Sequence, residues 1–85
     1  MEEVEIGRIS HYFSKIQVGV ARITGQRLKV GDVVHIKGHS SDFFQKIESM
    51  QIEHQPVEEA RTGEEVAFKV EMPVRENDLI FKVQE

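Results

Sequence analysis

Apolar and polar residues alternate with a period of two along most of this chain. The alternation is clearest in four stretches, which begin near Lys15, Val33, Val66 and Leu79. Successive side chains of a β-strand point to opposite faces of a sheet, so this pattern is typical of strands that are buried on one face. No stretch shows the spacing of three and four residues that marks an amphipathic helix. The pattern therefore predicts an all-β protein.

Turn residues divide the alternating runs into six predicted strands. Glycine, proline, asparagine and aspartate lie between the runs, where chain reversals need them. The predicted strands cover residues 3–10, 15–24, 32–38, 44–54, 65–72 and 79–84. The parity of the alternation changes after Ile6, Val20 and Ile47, and each change indicates a β-bulge or a bend. Bulges coil the strands of closed sheets, so we expect a small six-stranded antiparallel β-barrel.

The same alternation assigns the predicted core. Side chains on the more apolar face of each strand are expected to point inward, away from water. The predicted interior residues are Ile16, Val18, Val34, Ile36, Met50, Val66, Phe68, Leu79 and Phe81.

The composition favours one small soluble domain that spans residues 1–85. A chain of 85 residues buries only a little more than about 60% of its unfolded surface, which leaves no room for a second core. The sequence has no cysteine, which excludes disulfides and thiolate chemistry. No apolar run approaches the roughly 18 residues of a membrane helix, and the first residues are acidic, unlike a signal peptide. We therefore expect a cytoplasmic protein without a membrane partner.

The net charge of −4 conceals two halves of opposite sign. Cations exceed acids by five between Ile6 and Lys46, and acids exceed cations by six from Ile47 to Glu85. This division is consistent with an anionic partner for the basic half, and equally with a solvated surface of mixed charge. The candidate nucleic-acid contacts are the seven cations of the basic half, Arg8, Lys15, Arg22, Arg27, Lys29, Lys37 and Lys46.

Residues that could support catalysis or metal binding do not form a recognisable pattern. The four histidines, His11, His35, His39 and His54, lack the spacing of a compact metal site and are interpreted as solvated surface residues. Ser40 is close to His39 in sequence, but a nucleophile also needs a base that is held and oriented against it. We expect no enzyme activity, no metal and no cofactor.

Two aromatic pairs, Tyr12-Phe13 and Phe43-Phe44, lie beside predicted turns and near lysines. Aromatic side chains beside cations are where single-stranded nucleic acid stacks its bases. The same residues are equally suited to closing the ends of a barrel, so both interpretations stay open.

Several segments together resemble the second domain of translational GTPases such as elongation factor Tu and initiation factor two. They are GVARITGQRLKVGDVVHIKG at 19–38, QKIESMQ at 45–51 and VEEARTGEEVA at 57–67. The resemblance covers most of the chain and implies a small β-barrel. Loops of that barrel touch ribosomal RNA in the family, and Arg27 and Lys29 match one such loop.

The chain lacks the motifs that bind guanine nucleotides, including G-x-x-x-x-G-K-[ST]. The resemblance therefore implies a non-catalytic, translation-related binding module without GTPase activity. Its expected partners are ribosomal RNA or tRNA, or a translation-related protein.

The chain is also similar to the C-terminal domain of U32 peptidases, a family that acts in collagen breakdown and RNA hydroxylation. The ending VRENDL at 74–79 carries this second resemblance. It implies an alternative function, a protein-interaction adaptor or the detached accessory domain of a U32-peptidase-like enzyme. Fold analogy does not choose a ligand, so the two functions stay open.

Overall fold

The computed structural model describes residues 2–85, which form ten β-strands and no helix. The all-β prediction is confirmed. Within these residues there is accordingly no helix with the length and apolarity needed to span a membrane. The strands are β1 (Glu2–Phe13), β2 (Val18–Ile23), β3 (Leu28–Lys29), β4 (Val33–Lys37), β5 (Asp42–Lys46), β6 (Met50–Ile52), β7 (Gln55–Val57), β8 (Glu59–Ala60), β9 (Glu65–Lys69) and β10 (Leu79–Gln84).

Eight of the strands in residues 2–85 form one antiparallel sheet with the order β5-β4-β10-β1-β2-β9-β6-β7, and β3 pairs with β8 separately. The sheet does not close, because its edge strands β5 and β7 are not hydrogen-bonded to each other. The prediction of a six-stranded antiparallel barrel is therefore wrong in the number of strands and in the closure of the sheet. The predicted strand 44–54 is in fact two strands, of which β5 pairs with β4 and β6 pairs with β9.

The side chain of Gln45 bridges the gap between β5 and the end of β9. Its Nε2 atom donates to the backbone oxygen of Lys69 at 2.9 Å, and its Oε1 atom accepts from the backbone nitrogen of Glu71 at 2.9 Å. Gln45 is 6% exposed, and both bonds are partly buried. A side-chain amide thus links the edge strand β5 to the end of β9 and the residues that follow it.

The curled sheet encloses one apolar core to which nearly every strand contributes. Of the nine residues predicted to be inside, five are buried, namely Val34, Ile36, Met50, Val66 and Phe68. The largest fully buried side chains are Ile6, Ile9, Ile23, Leu28, Ile36, Ile47, Met50, Ile80, Val34 and Val66.

The predicted facing of β2 and β10 is wrong. Ile80 is fully buried, whereas Leu79 and Phe81 lie on the outer face and are only partly buried. On β2 the inward residues are Gly19, Ala21 and Ile23, while Val18 points outward, and Ile16 in the preceding turn is 61% exposed. On β10 the more apolar face, with Leu79, Phe81 and Val83, is the outer one, and on β2 the small residues Gly19 and Ala21 face inward. Alternation therefore favoured the outer face of both strands. Their outer faces are consequently apolar as well.

Strand β1 contains two irregularities, between Glu5 and Gly7 and between Ile9 and His11. The first confirms the bulge predicted after Ile6. A Cβ atom at Gly7 would come within 2.2 Å of the backbone oxygen of Arg22, so only glycine fits this close approach of β1 to β2.

Candidate interaction surfaces

The outer face of the sheet carries an apolar groove of about 540 Å³ across β2, β9 and β6. We call it the β2–β9 groove. It is lined by Phe13, Ile16, Val18, Val20, Gln51, Glu53, His54, Glu65 and Ala67.

The register of the strands explains the floor of the β2–β9 groove. Val20 lies opposite Ala67 on β9, and Ala67 in turn lies opposite Gln51 on β6. Cross-strand partners share a face, so these residues form one row across the outer surface. Ala67 is small, which leaves a depression between the larger side chains beside it.

The β1–β2 turn carries the most exposed apolar side chains of the groove. Phe13 is 46% exposed at the end of β1, and Ile16 is 61% exposed in the turn. Gln17 in the same turn has a φ of 57°, and its backbone oxygen accepts a hydrogen bond from the backbone nitrogen of Val70 at 2.9 Å. This bond holds the turn, and with it Ile16, beside the groove.

A strained hairpin forms another wall. Ile52 pairs with Gln55 across the β6–β7 hairpin, and the two residues between them, Glu53 and His54, have φ values of 51° and 67°. Two consecutive positive φ values are the conformation of a type I′ turn, where Asn-Gly is usual. The left-handed conformation costs roughly 1–2 kcal/mol for each residue that has a Cβ atom. Backbone strain of this kind is concentrated at functional sites.

A second surface surrounds His35 on the outer face of β4, β5, β10 and β1. We call the group of Glu3, His35, Asp42, Phe44 and Phe81 the His35 cluster. Nδ1 of His35 lies 2.6 Å from Oε1 of Glu3, and Nε2 lies 2.5 Å from Oδ1 of Asp42. The ring stacks on Phe44 with centroids 4.1 Å apart, and the Phe81 ring centroid is 6.2 Å away.

The interpretation of His35 as a solvated histidine is wrong, since it is 8% exposed. The hydrogen bond to Asp42, together with the contacts to Glu3, raises the pKa of His35, although burial of the ring acts in the opposite direction. The hydrogen bond from His35 in turn lowers the pKa of Asp42. Of the other histidines, His11 lies 3.6 Å from Glu76, and His39 and His54 are exposed.

The His35 cluster is not arranged as a metal centre. Its two carboxylates contact opposite nitrogens of one imidazole ring, so the three groups do not converge on one point. Residues 2–85 contain no group of three or more histidines or carboxylates that could hold a metal ion.

The seven cations predicted to contact nucleic acid are all exposed, but they do not form one surface. Arg8, Arg22 and Lys37 share a row on the outer face, because Arg8 lies opposite both Arg22 and Leu79, and Leu79 lies opposite Lys37. A carboxylate lies at each end of this row. Asp42 is opposite Lys37 on the neighbouring strand, and Glu65 lies 3.8 Å from Arg22.

The other four predicted cations are placed elsewhere. Arg27 lies 3.7 Å from the carboxylate of Glu59, and Lys29 on β3 lies opposite the same residue. Lys15 is in the β1–β2 turn, and Lys46 ends β5 opposite Val33. Acidic residues of the second half of the chain are thus interleaved with the cations of the first half.

Each aromatic pair is divided between the core and the surface. Phe43 is 9% exposed in the core, while its neighbour Phe44 is 50% exposed and stacks on His35. Tyr12 packs against the core, while Phe13 contributes to the β2–β9 groove.

The groove residues were missed because the sequence offers little to distinguish them. Ile16 and Val18 were assigned to the core, and the turn of the β6–β7 hairpin fell within the predicted strand 44–54, since Glu53 and His54 are not turn-forming residues. The signal that could have revealed the groove is the run of apolar and small residues from Val18 to Ala21, which leaves the first four residues of β2 without polar side chains on either face.

The sequence of this chain matches proteins that are named as proteases. An uncharacterized protease of Methanocaldococcus jannaschii is 34% identical over 84 residues, which are 98% of this chain and 20% of that protein. A collagenase of Porphyromonas gingivalis is 29% identical over 82 residues, 95% of this chain and again 20% of the relative. The chain thus spans about one fifth of the length of the curated relatives it matches. No model of a protein family matches it.

Solved structures show the same fold. The C-terminal domain of a Geobacillus thermoleovorans protein assigned to the U32 peptidases superimposes with a TM-score of 0.87 and 24% identity, covering 96% of this chain and 93% of that domain. The selenomethionine form of that domain gives a TM-score of 0.84 with 23% identity, over 89% of this chain and 95% of that domain.

The prediction of a translation-factor-related, RNA-binding module is therefore wrong. The matched proteins are a protease and a collagenase, and the matched fold is the C-terminal domain of a U32 peptidase, as the alternative interpretation had it. Features such as the Gly31-Asp32 turn occur in many small β-structures, so they do not specify a function. This chain has the fold of a U32-peptidase C-terminal domain, and its curated relatives are proteases by name.

Proposed function

We propose that this chain is a non-catalytic accessory domain of the U32-peptidase type, which binds a catalytic polypeptide through the β2–β9 groove. One observation carries the proposal. The match covers 98% of this chain but only 20% of the Methanocaldococcus jannaschii protease. Four fifths of that protease therefore lie outside the matched domain.

The chemistry of the described residues favours binding over catalysis. The His35 cluster has two carboxylates and an imidazole, but no serine, threonine or cysteine within it could act as a nucleophile. Hydrolysis also needs an activated nucleophile or a metal-bound water, and no group of three metal-ligating side chains occurs in residues 2–85.

The outer apolar surface supports a protein partner. Val18 and Val20 form a groove floor on a face that a solvated sheet would normally cover with polar residues. Phe13 and Ile16 extend this surface into the turn at about half exposure or more. Contiguous exposed apolar surface of this kind marks an interaction site.

The proposal is tested with the Methanocaldococcus jannaschii protease from which the matching fifth has been deleted. We expect this chain to form a one-to-one complex with that polypeptide in light scattering after gel filtration, and to hydrolyse no casein or gelatin alone. Val20→Glu, in the groove, should weaken the complex at least tenfold. The matched control is Val33→Glu, at a position that is 39% exposed on β4 and outside the groove. Hydrolysis by the isolated chain, or the absence of a complex, would contradict the proposal.

A further inference from the structure

The two carboxylates of the β2–β9 groove lie at one end of it. Gln51 pairs with Ala67 in an antiparallel register. Glu53 lies two residues beyond Gln51, and Glu65 lies two residues before Ala67, so the register brings both to the same side of that pair. The acidic end of the groove therefore consists of the β6–β7 hairpin and the start of β9.

The opposite end of the groove is apolar and bordered by cations. Val18 on β2 lies opposite Phe13 of β1 on one side and opposite Lys69 of β9 on the other, and Lys15 is in the adjoining β1–β2 turn. None of the residues that line the groove within 2–85 is a lysine or an arginine. The groove is thus polarised along its length, with its lining carboxylates at one end.

The acidic end is only partly neutralised by the chain itself. Glu65 lies 3.8 Å from Arg22, and the side chains of both are about half exposed, so this ion pair is loose. Glu53 forms no ion pair with any residue in 2–85. Its left-handed φ of 51° holds it at the hairpin tip on the groove wall. A strained residue with an unpaired carboxylate beside an apolar groove fits a role in recognition.

We infer that the groove receives a segment of the partner polypeptide that carries apolar side chains followed by a lysine or arginine, with the cation bound at Glu53 and Glu65. This inference rests on the proposed function and adds the chemistry and the direction of the bound segment. Apolar side chains fill the floor at Val18, Val20 and Ala67. Lys69 borders the opposite end of the groove and repels a cation there. The lysine or arginine of the partner therefore fixes the direction in which the bound segment lies.

The test uses fluorescein-labelled synthetic peptides of twelve residues. One probe alternates leucine and serine and ends in two arginines, and a second has the same body and ends in two glutamates. Anisotropy titrations at about 50 mM salt should show three- to tenfold tighter binding of the arginine peptide, the scale expected for partly exposed ion pairs. That preference should shrink as the salt concentration rises, since exposed charges are screened.

The double variant Glu53→Gln/Glu65→Gln should abolish the preference and leave binding of the glutamate peptide unchanged or stronger. The matched control is Glu2→Gln/Glu71→Gln, which removes two charges from positions that do not line the groove. Equal binding of both peptides, or a preference that survives in the groove variant, overturns the inference. Concentration-dependent self-association that Ile16→Glu abolishes also overturns it, because the occupant is then a second copy of this chain.

The two proposals fail separately. If the truncated protease forms a complex with this chain but the peptides show no charge preference, the accessory function stands and the inferred chemistry is wrong. If no complex forms, the accessory function is wrong whatever the peptides do, and the inferred partner falls with it.

Discussion

The imidazole of His35 and the carboxylate of Asp42 are joined by a hydrogen bond of 2.5 Å across the β4–β5 pair. Glu3 of β1 contacts the other ring nitrogen at 2.6 Å. Both carboxylates accept hydrogen bonds only when the ring carries a proton on each nitrogen, so this geometry favours the imidazolium form. The pKa of His35 is accordingly raised above its ordinary value of 6.5.

The His35 cluster should make the stability of the fold depend on pH. His35 binds a proton more tightly in the folded than in the unfolded chain, so its contribution to stability is complete below about pH 6.5 and is lost as the pH rises through the raised pKa. Asp42 has a lowered pKa, so its contribution is complete above about pH 3.8 and is lost on further acidification. We expect the contribution of this pair to be greatest between about pH 4 and pH 6.5, as measured by the melting temperature.

His35→Gln is the variant that isolates this effect, because glutamine keeps a polar side chain without a titrating ring. Its melting temperature should fall less than that of the wild type between pH 6 and pH 9. His39→Gln, at an exposed histidine, is the matched control and should follow the wild type. A wild-type melting temperature that does not fall over this range contradicts the prediction.

The inward face of β10 is tested by a pair of neighbouring substitutions. Ile80 is fully buried, so Ile80→Ala should lower the free energy of unfolding by about 2–5 kcal/mol. Leu79 is partly buried on the outer face, so Leu79→Ala should cost clearly less. Urea denaturation of the two variants measures both values. A larger loss for Leu79→Ala would show that the strand faces the other way.

The sequence could predict which segments are strands better than it could predict which face of each is buried. The facing of β4 was predicted correctly because Val34 and Ile36 alternate with positions that include His35 and Lys37. The facing of β10 was not, because Leu79, Phe81 and Val83 make one face apolar, while Ile80 shares the other face with Lys82 and Gln84. Alternation therefore favoured the face that lies outward, and tertiary packing overrides it.

The surfaces were harder to predict because they depend on residues far apart in the chain. Glu3 and Asp42 are brought to His35 by two different neighbouring strands, β1 through β10 and β5 directly. Turn positions were only partly predictable. Asn77, in a predicted turn, has a φ of 74° and adopts the conformation that glycine usually supplies, whereas Glu53 and His54 adopt it without any turn signal in the sequence.

Gln45 should be important for stability although it is a polar residue on an edge strand. Gln45→Ala removes the acceptor for the backbone nitrogen of Glu71 and the donor to the backbone oxygen of Lys69. Leaving a buried donor or acceptor without a partner costs about 1–3 kcal/mol, and these two bonds are partly buried, so we expect a loss of about 1 kcal/mol in urea denaturation. Gln55→Ala, at an exposed position of β7, is the control and should change the stability by less than about 0.5 kcal/mol. Equal losses for the two variants would contradict the bridging role.

The strain at the β6–β7 hairpin predicts a substitution that stabilises the fold. His54 has a φ of 67°, which is unfavourable for a residue with a Cβ atom and free of that penalty for glycine. His54→Gly should therefore raise the free energy of unfolding by about 1 kcal/mol. Glycine in a strand normally has the opposite effect and lowers it by about 0.5–1 kcal/mol. Gln55→Gly, one residue later in β7, provides that comparison and should destabilise the fold.

Because His54→Gly keeps the carboxylates of Glu53 and Glu65, it should also retain the preference for the arginine peptide. If His54→Gly destabilises the fold as much as Gln55→Gly does, the hairpin is not strained at this residue, and its left-handed backbone no longer supports a role in recognition.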